Sequence, residues 1–511
     1  MRLPIVARIG PTSAWRLPAI DRRDAPAWTP IDWLAVLAVA VGAALIRLPG
    51  LARPTQLVFD EIFYARDACW YVTASPAVCE ITELASRTHP PLGKWIIASG
   101  IALFGYEPFG WRIAAALAGV ATVVLLYVLA RRLFASVGTP AAATAGAFAA
   151  SALLATDFLH AVQSRIAMLD VFIVLFVVGG MLAIVLDRDR VGSRAIPRWL
   201  SALTLHRPWR LVAGACLGAA AGTKWSGAYV ALVVIGLVIA WELAGAMRRM
   251  PGVSRRASWW AAFRSEALPT LALLGVVPVL VYLAGYIGRM PGELIGAPWD
   301  PASVWRGIWE HQVQMFDFHV GLRGHHPYES PPWSWPLLKR PVAFYFTAGG
   351  GAYREILALG NPLVWWSGIV ALGVLGVAWV RRGLDVRAPE LVILAGAVAT
   401  YGPWLALAAS RDQVFLWYLL PTIPFLFLAL GLLAARAWSM MLGRVATVLY
   451  AAIVAASFAF YFPLLTALPV TPGDWWLRIP FRDCARPGAP TLALPDDEIN
   501  TGPPPNGWCW I

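Results

Sequence analysis

Charge is what this chain has least of. Only 14% of its 511 residues are Asp, Glu, Lys or Arg, against about 25% in a soluble globular chain, so a water-soluble fold of this size is excluded. Lysine is nearly missing: Lys94, Lys224 and Lys339 are the only three, and every other basic residue apart from histidine is arginine. The five cysteines have neither tight CxxC spacing nor a neighbouring His pair, so no metal site is expected. No GxxxxGK(S/T) stretch is present, which removes P-loop phosphate chemistry. Heptads, solenoid repeats and a soluble catalytic segment are also absent. Met1 to Trp28 is polar, basic and proline-bearing, without the short apolar core and small-residue cleavage site of a signal peptide. It reads as a tail kept in the cytoplasm.

What the chain does have is hydrophobicity, at 59% of residues and a mean hydropathy of +0.63. Apolar runs of roughly 18–22 residues recur from Ile31 to Leu465, each near the length that spans a bilayer. The reading is an all-α polytopic membrane protein of about eleven transmembrane helices, at 31–48, 111–130, 140–158, 168–186, 209–223, 225–244, 267–287, 362–380, 389–409, 414–434 and 445–465. The run at 93–104 is too short to cross and is expected to enter the interface or the bundle. The net charge of +12 does not point to nucleic acid, because the arginines lie in short connections between apolar runs. Such clusters stay in the cytoplasm. Residues 1–30 then form a cytoplasmic tail and 31–465 the membrane domain, with external loops at 49–110 and 288–361. Residues 466–511 form an external tail. The expected location is the plasma membrane.

An oxidising exterior permits the pairings Cys69–Cys79 and Cys484–Cys509. The external loops also carry the chemistry. Residues 59–70 read FDEIFYARDACW and residues 89–94 read HPPLGK, and a carboxylate pair beside a membrane is a functional candidate by default. Asp60 and Glu61 are adjacent, so on a helix they diverge and suit separate roles, a general base and a positioning carboxylate. Tyr64 and Asp67, at spacings four and seven from Asp60, give it a polar face. Arg47, Arg112, Arg165, Lys224 and Arg411 fall near external span ends, where each alone suits a snorkelling role. Together they suit phosphate binding. Asp170 is placed to pair with Arg165. His89, His319, His325 and His326 are external, but their spacing matches no metal motif. Trp and Tyr in 288–361 favour the headgroup region, which lays parts of that loop on the membrane surface.

Taken in order, RLPGLARPTQLVFDEIFYARDA, HPPLGKW, FGWRIAAALAG, SRIAMLDVFIVLF, AAAGTKWSG, HPYESPPWSWPLLKRP and WYLLPTIPFL resemble the motifs of bacterial, actinobacterial-type polyprenyl-phosphate-mannose–protein O-mannosyltransferases. The resemblance runs from about Arg47 to Phe425, and the loop at 288–361 has no room for the soluble MIR domain of eukaryotic relatives. It implies a GT-C-type glycosyltransferase fold with the active site at the external membrane face. It also implies inverting transfer of mannose from polyprenyl-phosphate-mannose to Ser/Thr hydroxyls of exported polypeptides, met for example during Sec export. The family's acidic pair falls on Asp60 and Glu61 and its arginines on Arg47 and Arg112. Arg165 and Lys224 join them as candidate donor-phosphate ligands. Tyr64, His89, Lys94, Asp170, His326, Trp335 and Arg411 are candidate substrate contacts. Beyond the lipid donor and membrane lipid, no cofactor is implied, and any divalent-metal requirement stays open. A GT-C enzyme with a lipid or glycan acceptor would share the acidic pair and the cations. A transporter would instead carry midplane charges and related repeats.

Overall fold

The computed structural model describes residues 28–191, 207–249, 252, 254–287, 301–322, 326, 328–407 and 413–479. Among these, eight helices are long and apolar enough to cross a membrane: Pro30–Arg47, Pro108–Ser136, Asp170–Arg190, Trp225–Gly245, Ala267–Ala284, Pro362–Arg381, Leu416–Ala437 and Met441–Leu465. The other three expected spans are helices too, at Pro140–Ala155, Pro208–Thr223 and Pro389–Ala406, shorter or less apolar than those eight. Proline at the first turn recurs because that position needs no intrahelical N–H. Thr29 and Asp32 close the first helix with a capping box. Close packing rests on small residues. A Cβ on Gly146 would stand 2.5 Å from the Gly431 carbonyl oxygen, and one on Gly431 2.6 Å from that of Gly146.

The span ends assigned to the cytoplasm are tied by buried carboxylates. Asp32 accepts from Arg131 Nε at 2.7 Å, from the Tyr127 hydroxyl at 3.0 Å and from the Thr144 hydroxyl at 2.7 Å. Asp187 takes Arg207 and Arg210, each at 3.0 Å, and Glu390 takes Arg382 and Arg436. Every one of these charges has its counter-charge, as burial in a low dielectric requires.

The opposite ends carry the ordered connections. The first loop forms helix Glu61–Thr73, a short turn of helix at Pro76–Cys79 and helix Leu92–Phe104, and Cys69 and Cys79 are joined by a disulfide. Lys94 and Asp67 are both buried and meet at 2.6 Å. Asp67 also accepts from the N–H groups of Ala85 and Ser86, at 2.6 and 3.2 Å, and Lys94 donates to the Ser86 carbonyl. One ion pair thus pins two helices and the strand of loop between them.

The second loop is more ordered than its Trp- and Pro-rich composition suggests. It contains helix Pro301–Gly321, a 3-10 turn at Pro332–Leu337 and an antiparallel hairpin of β1 (Val342–Gly349) and β2 (Ala352–Ala358). Gly350 and Gly351 both take positive φ, 60° and 75°, as a two-residue hairpin turn needs. The tail beyond residue 465 packs back on this hairpin: Tyr353 and Val470 exchange backbone bonds of 2.9 and 3.0 Å. Buried Glu355 on β2 accepts from Trp475 Nε1 at 2.6 Å.

Lys94→Met removes the partner of a buried Asp67 and should destabilise the folded chain by about 3–5 kcal/mol. Replacing both partners with apolar residues should recover much of that loss. Unfolding midpoints of the purified protein in detergent check both statements.

Candidate active site

The site is built around one strained residue. Phe59 has φ of 52°, a left-handed conformation that costs a bulky residue energy and needs its surroundings to hold it. Its ring stacks on Phe344 at 4.4 Å and meets the edge of Trp417 at 5.2 Å. Phe344 sits at the bulge in β1, between the paired residues Ala343 and Tyr345, and a bulge re-aims a side chain. The hairpin therefore holds Phe59, and Phe59 delivers the next residue, Asp60, to the first turn of helix Glu61–Thr73.

Asp60 and Glu61 have diverged into different environments. Glu61 is fully buried, and all four of its contacts go to protein. Its Oε1 accepts from Arg112 Nε and Ala167 N, both at 2.8 Å, and its Oε2 from Arg112 Nη2 at 2.7 Å and Val58 N at 2.9 Å. Asp60 is half-buried, and its side chain makes no cap bond. It accepts the Tyr64 hydroxyl at 3.3 Å. Burial pushes the Asp60 carboxyl up to about 6; the Lys224 charge pulls against this and the Asp170 charge adds to it. Tyr64 is itself held far above the usual phenol range by burial, so it stays a hydroxyl donor. Asp60 is thus a carboxylate that can take a proton near neutral pH.

The cations are distributed unevenly. Arg112 uses all five N–H groups: the three nitrogens that reach Glu61 and loop carbonyls contact Leu51 at 3.2 Å, Pro54 at 2.7 Å and Gln56 at 3.0 Å besides the carboxylate. Arg165 Nη1 donates to the carbonyls of Ile46, Arg47 and Pro49 at 2.9, 2.9 and 3.0 Å, closing the end of the first span. Arg47 is buried and donates to the carbonyls of Ala43 and Ala155, each at 3.2 Å, while its Nη2 meets His160 Nδ1 at 2.8 Å. These three arginines shape the backbone around the motif. Lys224 differs: its Nζ lies 3.1 and 3.0 Å from the two Asp170 oxygens and 4.7 Å over the Tyr418 ring. Asp170 thus pairs with Lys224 and not with Arg165, because Arg165 donates instead to the carbonyls at the end of the first span.

The remaining candidates divide in the same way. His89 packs its ring 6.0 Å from Tyr64 and 5.6 Å from His319, at the rim of the Asp60 region. His326 stands edge-on to Phe415 at 5.1 Å, and burial lowers its pKa while Glu329 opposes the shift. Trp335 is buried behind Tyr418 and donates to the Ser330 carbonyl at 2.9 Å. Lys94 belongs to the buried pair with Asp67. Arg411, His325, Cys484 and Cys509 lie outside the described residues. Sequence reasoning missed the aromatic wall of Phe59, Phe344, Trp417 and Tyr418, although FDE and WYLLP carried three of its members. Among the described residues, no cluster of three or more His, Cys, Asp or Glu side chains could hold a metal ion.

The chain matches two family models, "Dolichyl-phosphate-mannose-protein mannosyltransferase" over residues 107–288 and "C-terminal four TMM region of protein-O-mannosyltransferase" over residues 304–481. It is 33% identical to the polyprenol-phosphate-mannose–protein mannosyltransferase of Mycobacterium tuberculosis, across 88% of this chain and 91% of that protein. The enzyme of the same name from Corynebacterium glutamicum is 28% identical across 86% and 90%. The Saccharomyces cerevisiae Pmt1–Pmt2 complex bound to the sugar donor superposes with a TM-score of 0.69 at 17% identity, covering 89% of this chain and 93% of that one. Apo ArnT from Cupriavidus metallidurans gives 0.50 at 16% identity, covering 85% and 76%. The shared architecture is the GT-C membrane fold. By identity and coverage, this chain belongs to the polyprenol-phosphate-mannose–protein mannosyltransferase family.

Proposed function

We propose that this chain transfers mannose from polyprenyl-phosphate-mannose to Ser/Thr hydroxyls of exported polypeptides, at the external face of the plasma membrane. The observation that carries the site assignment is the split environment of the acidic pair. Glu61 is saturated by Arg112 and two backbone N–H groups, while Asp60 is half-buried with a pKa raised to about 6. Asp60 takes the proton of the acceptor hydroxyl as that oxygen attacks the anomeric carbon. The bond to the phosphate oxygen breaks, and the polyprenyl phosphate leaves with the electron pair. Lys224 offsets the charge that develops on it. A single base with a cation on the leaving-group side suits one displacement with inversion, unlike the carboxylate pairs of hydrolases. Arg112, Arg165 and Arg47 serve as positioning residues. Transfer of labelled mannose from the lipid donor to a Thr-containing peptide by the purified chain tests the activity; failure to label the peptide would sink it.

The short arginine clusters support an orientation with the amino terminus in the cytoplasm and the tail beyond residue 466 outside. Single cysteines introduced near 195 and 252 should resist impermeant thiol reagents in intact cells, while those near 300 and 490 should react.

Asp60→Asn should lower turnover by about 10²–10⁴-fold with donor binding largely kept. Normal turnover in the folded variant would remove Asp60 as the base.

The pH profile carries a sign. Below about 6 Asp60 holds its proton and cannot accept another, so kcat/KM should rise through that pH and then level. Lys224→Met removes a charge that lowers the Asp60 pKa, so the rise should move to higher pH. Asp170→Asn removes one that raises it, so the rise should move to lower pH. Profiles that ignore both substitutions would dissociate Asp60 from the rate-determining base.

A further inference from the structure

Helix Pro301–Gly321 has three faces, read at 3.6 residues per turn. One ridge, Ile308, His311, Met315 and His319, lies against the protein. The next, Trp305, Trp309, Val313, Phe316 and Val320, is apolar and exposed, Trp309 by 69%. The third carries Arg306, Glu310, Gln314 and Asp317. A helix that offers separate faces to protein, hydrocarbon and water belongs at a bilayer surface. Its attachment fixes the depth: the partners on the protein face include Tyr282, on the last turn of span Ala267–Ala284, and Tyr286, just past it. Tyrosines at a span end sit at headgroup level.

Those tyrosines also form part of a hydrogen-bonded chain with one polarity throughout. Trp225 Nε1 donates to the Tyr282 hydroxyl at 3.1 Å, and that hydroxyl donates to Gln312 Oε1 at 2.5 Å. Gln312 Nε2 donates to the Tyr286 hydroxyl at 2.8 Å, which donates to His311 Nδ1 at 2.9 Å. His311 Nε2 then donates to the Arg87 carbonyl at 2.8 Å. Each hydroxyl accepts once and donates once, so the links reinforce one another. Burial pushes the His311 pKa down to about 4, which keeps the ring neutral, as accepting at Nδ1 requires. The chain begins beside Lys224 and ends two residues before His89. A parallel strut, His319 Nε2 to the Thr88 carbonyl at 3.0 Å, secures the far end.

We infer that helix Pro301–Gly321 lies in the outer leaflet and, through Gln312, Tyr282 and Trp225, positions Lys224 for the lipid-borne phosphate, so that the bilayer surface sets the height of the donor site. This rests on the donor-side reading of Lys224. The headgroup region that receives the apolar ridge is the region in which a polyprenyl phosphate presents its charge, so one surface would align both enzyme and substrate. Gln312 and Tyr282 are positioning residues and touch no substrate.

The test uses the full chain in nanodiscs of phosphatidylethanolamine and phosphatidylglycerol, with a polyprenyl-phosphate-mannose donor and a Thr-containing peptide. Tyr282→Phe deletes only the bridging hydroxyl. It should raise the donor KM by roughly 2–10-fold, the range expected for one hydrogen bond, with peptide KM and melting midpoint unchanged. Lys224→Met sets the benchmark with a larger rise. A flat donor KM for Tyr282→Phe beside a raised one for Lys224→Met overturns the relay alone. A flat donor KM for Lys224→Met overturns the donor-side reading and the relay with it. Equal shifts in both KM values, or a lowered midpoint, would make the contact merely structural and also overturn the relay. For the outer face, an environment-sensitive fluorophore on a cysteine introduced at 309 should be quenched by a headgroup-depth lipid quencher, and one at 310 by aqueous iodide, each corrected for labelling of the parent chain. Protection of 309 from both, with a dimer mass in solution, would assign the ridge to a second copy and overturn the lipid assignment.

Discussion

The candidate site depends on the buried fork between Glu61 and Arg112. A carboxylate and a guanidinium removed from water cost several kcal/mol each unless their hydrogen bonds are complete, and here they are. Arg112 reaches the loop carbonyls of Leu51, Pro54 and Gln56 while it holds Glu61. Glu61 in turn takes the N–H groups of Val58 and Ala167. One ion pair gathers the first loop, the second span and the segment that leads into the fourth. With that frame fixed, the left-handed Phe59 can persist, and Asp60 is left to point elsewhere.

The same arrangement explains why adjacent carboxylates have different fates. Glu61 accepts two bonds on each carboxylate oxygen, all from protein donors. Asp60 has one weak partner in Tyr64, partial burial, and opposing influences from Lys224 and Asp170. Those are the conditions under which a carboxyl group titrates close to neutral pH and can act as a base. On this account Lys224 both tunes the base and faces the leaving phosphate, and the interfacial helix holds it at the level where that phosphate lies.

Much of this was legible in the sequence, and the limits are physical. Apolar run length finds spans because the bilayer imposes it, so helices lie at each expected position. FDE marked a candidate site because carboxylates beside hydrocarbon are rarely accidental. Partner choice was not legible, since it depends on which side chains meet after packing. Arg112 and Arg165 read as phosphate ligands from their place at span ends, yet both turn to protein acceptors. Lys94 read as a substrate contact, yet it neutralises Asp67. Asp170, five residues from Arg165, meets Lys224 from another helix. The β1–β2 hairpin was hidden in a segment whose tryptophans and tyrosines pointed to the membrane surface, although its paired glycines flanked by aromatic and branched residues are a hairpin signal.

The most direct measurement is a structure of the chain in a bilayer with a non-transferable analogue of the mannosyl lipid and a Thr-containing peptide bound together. The account requires the peptide hydroxyl within hydrogen-bond reach of Asp60 and the phosphate against Lys224, with the Glu61–Arg112 fork intact. A phosphate seated on Arg112, with Glu61 displaced from it, would contradict the account at its foundation.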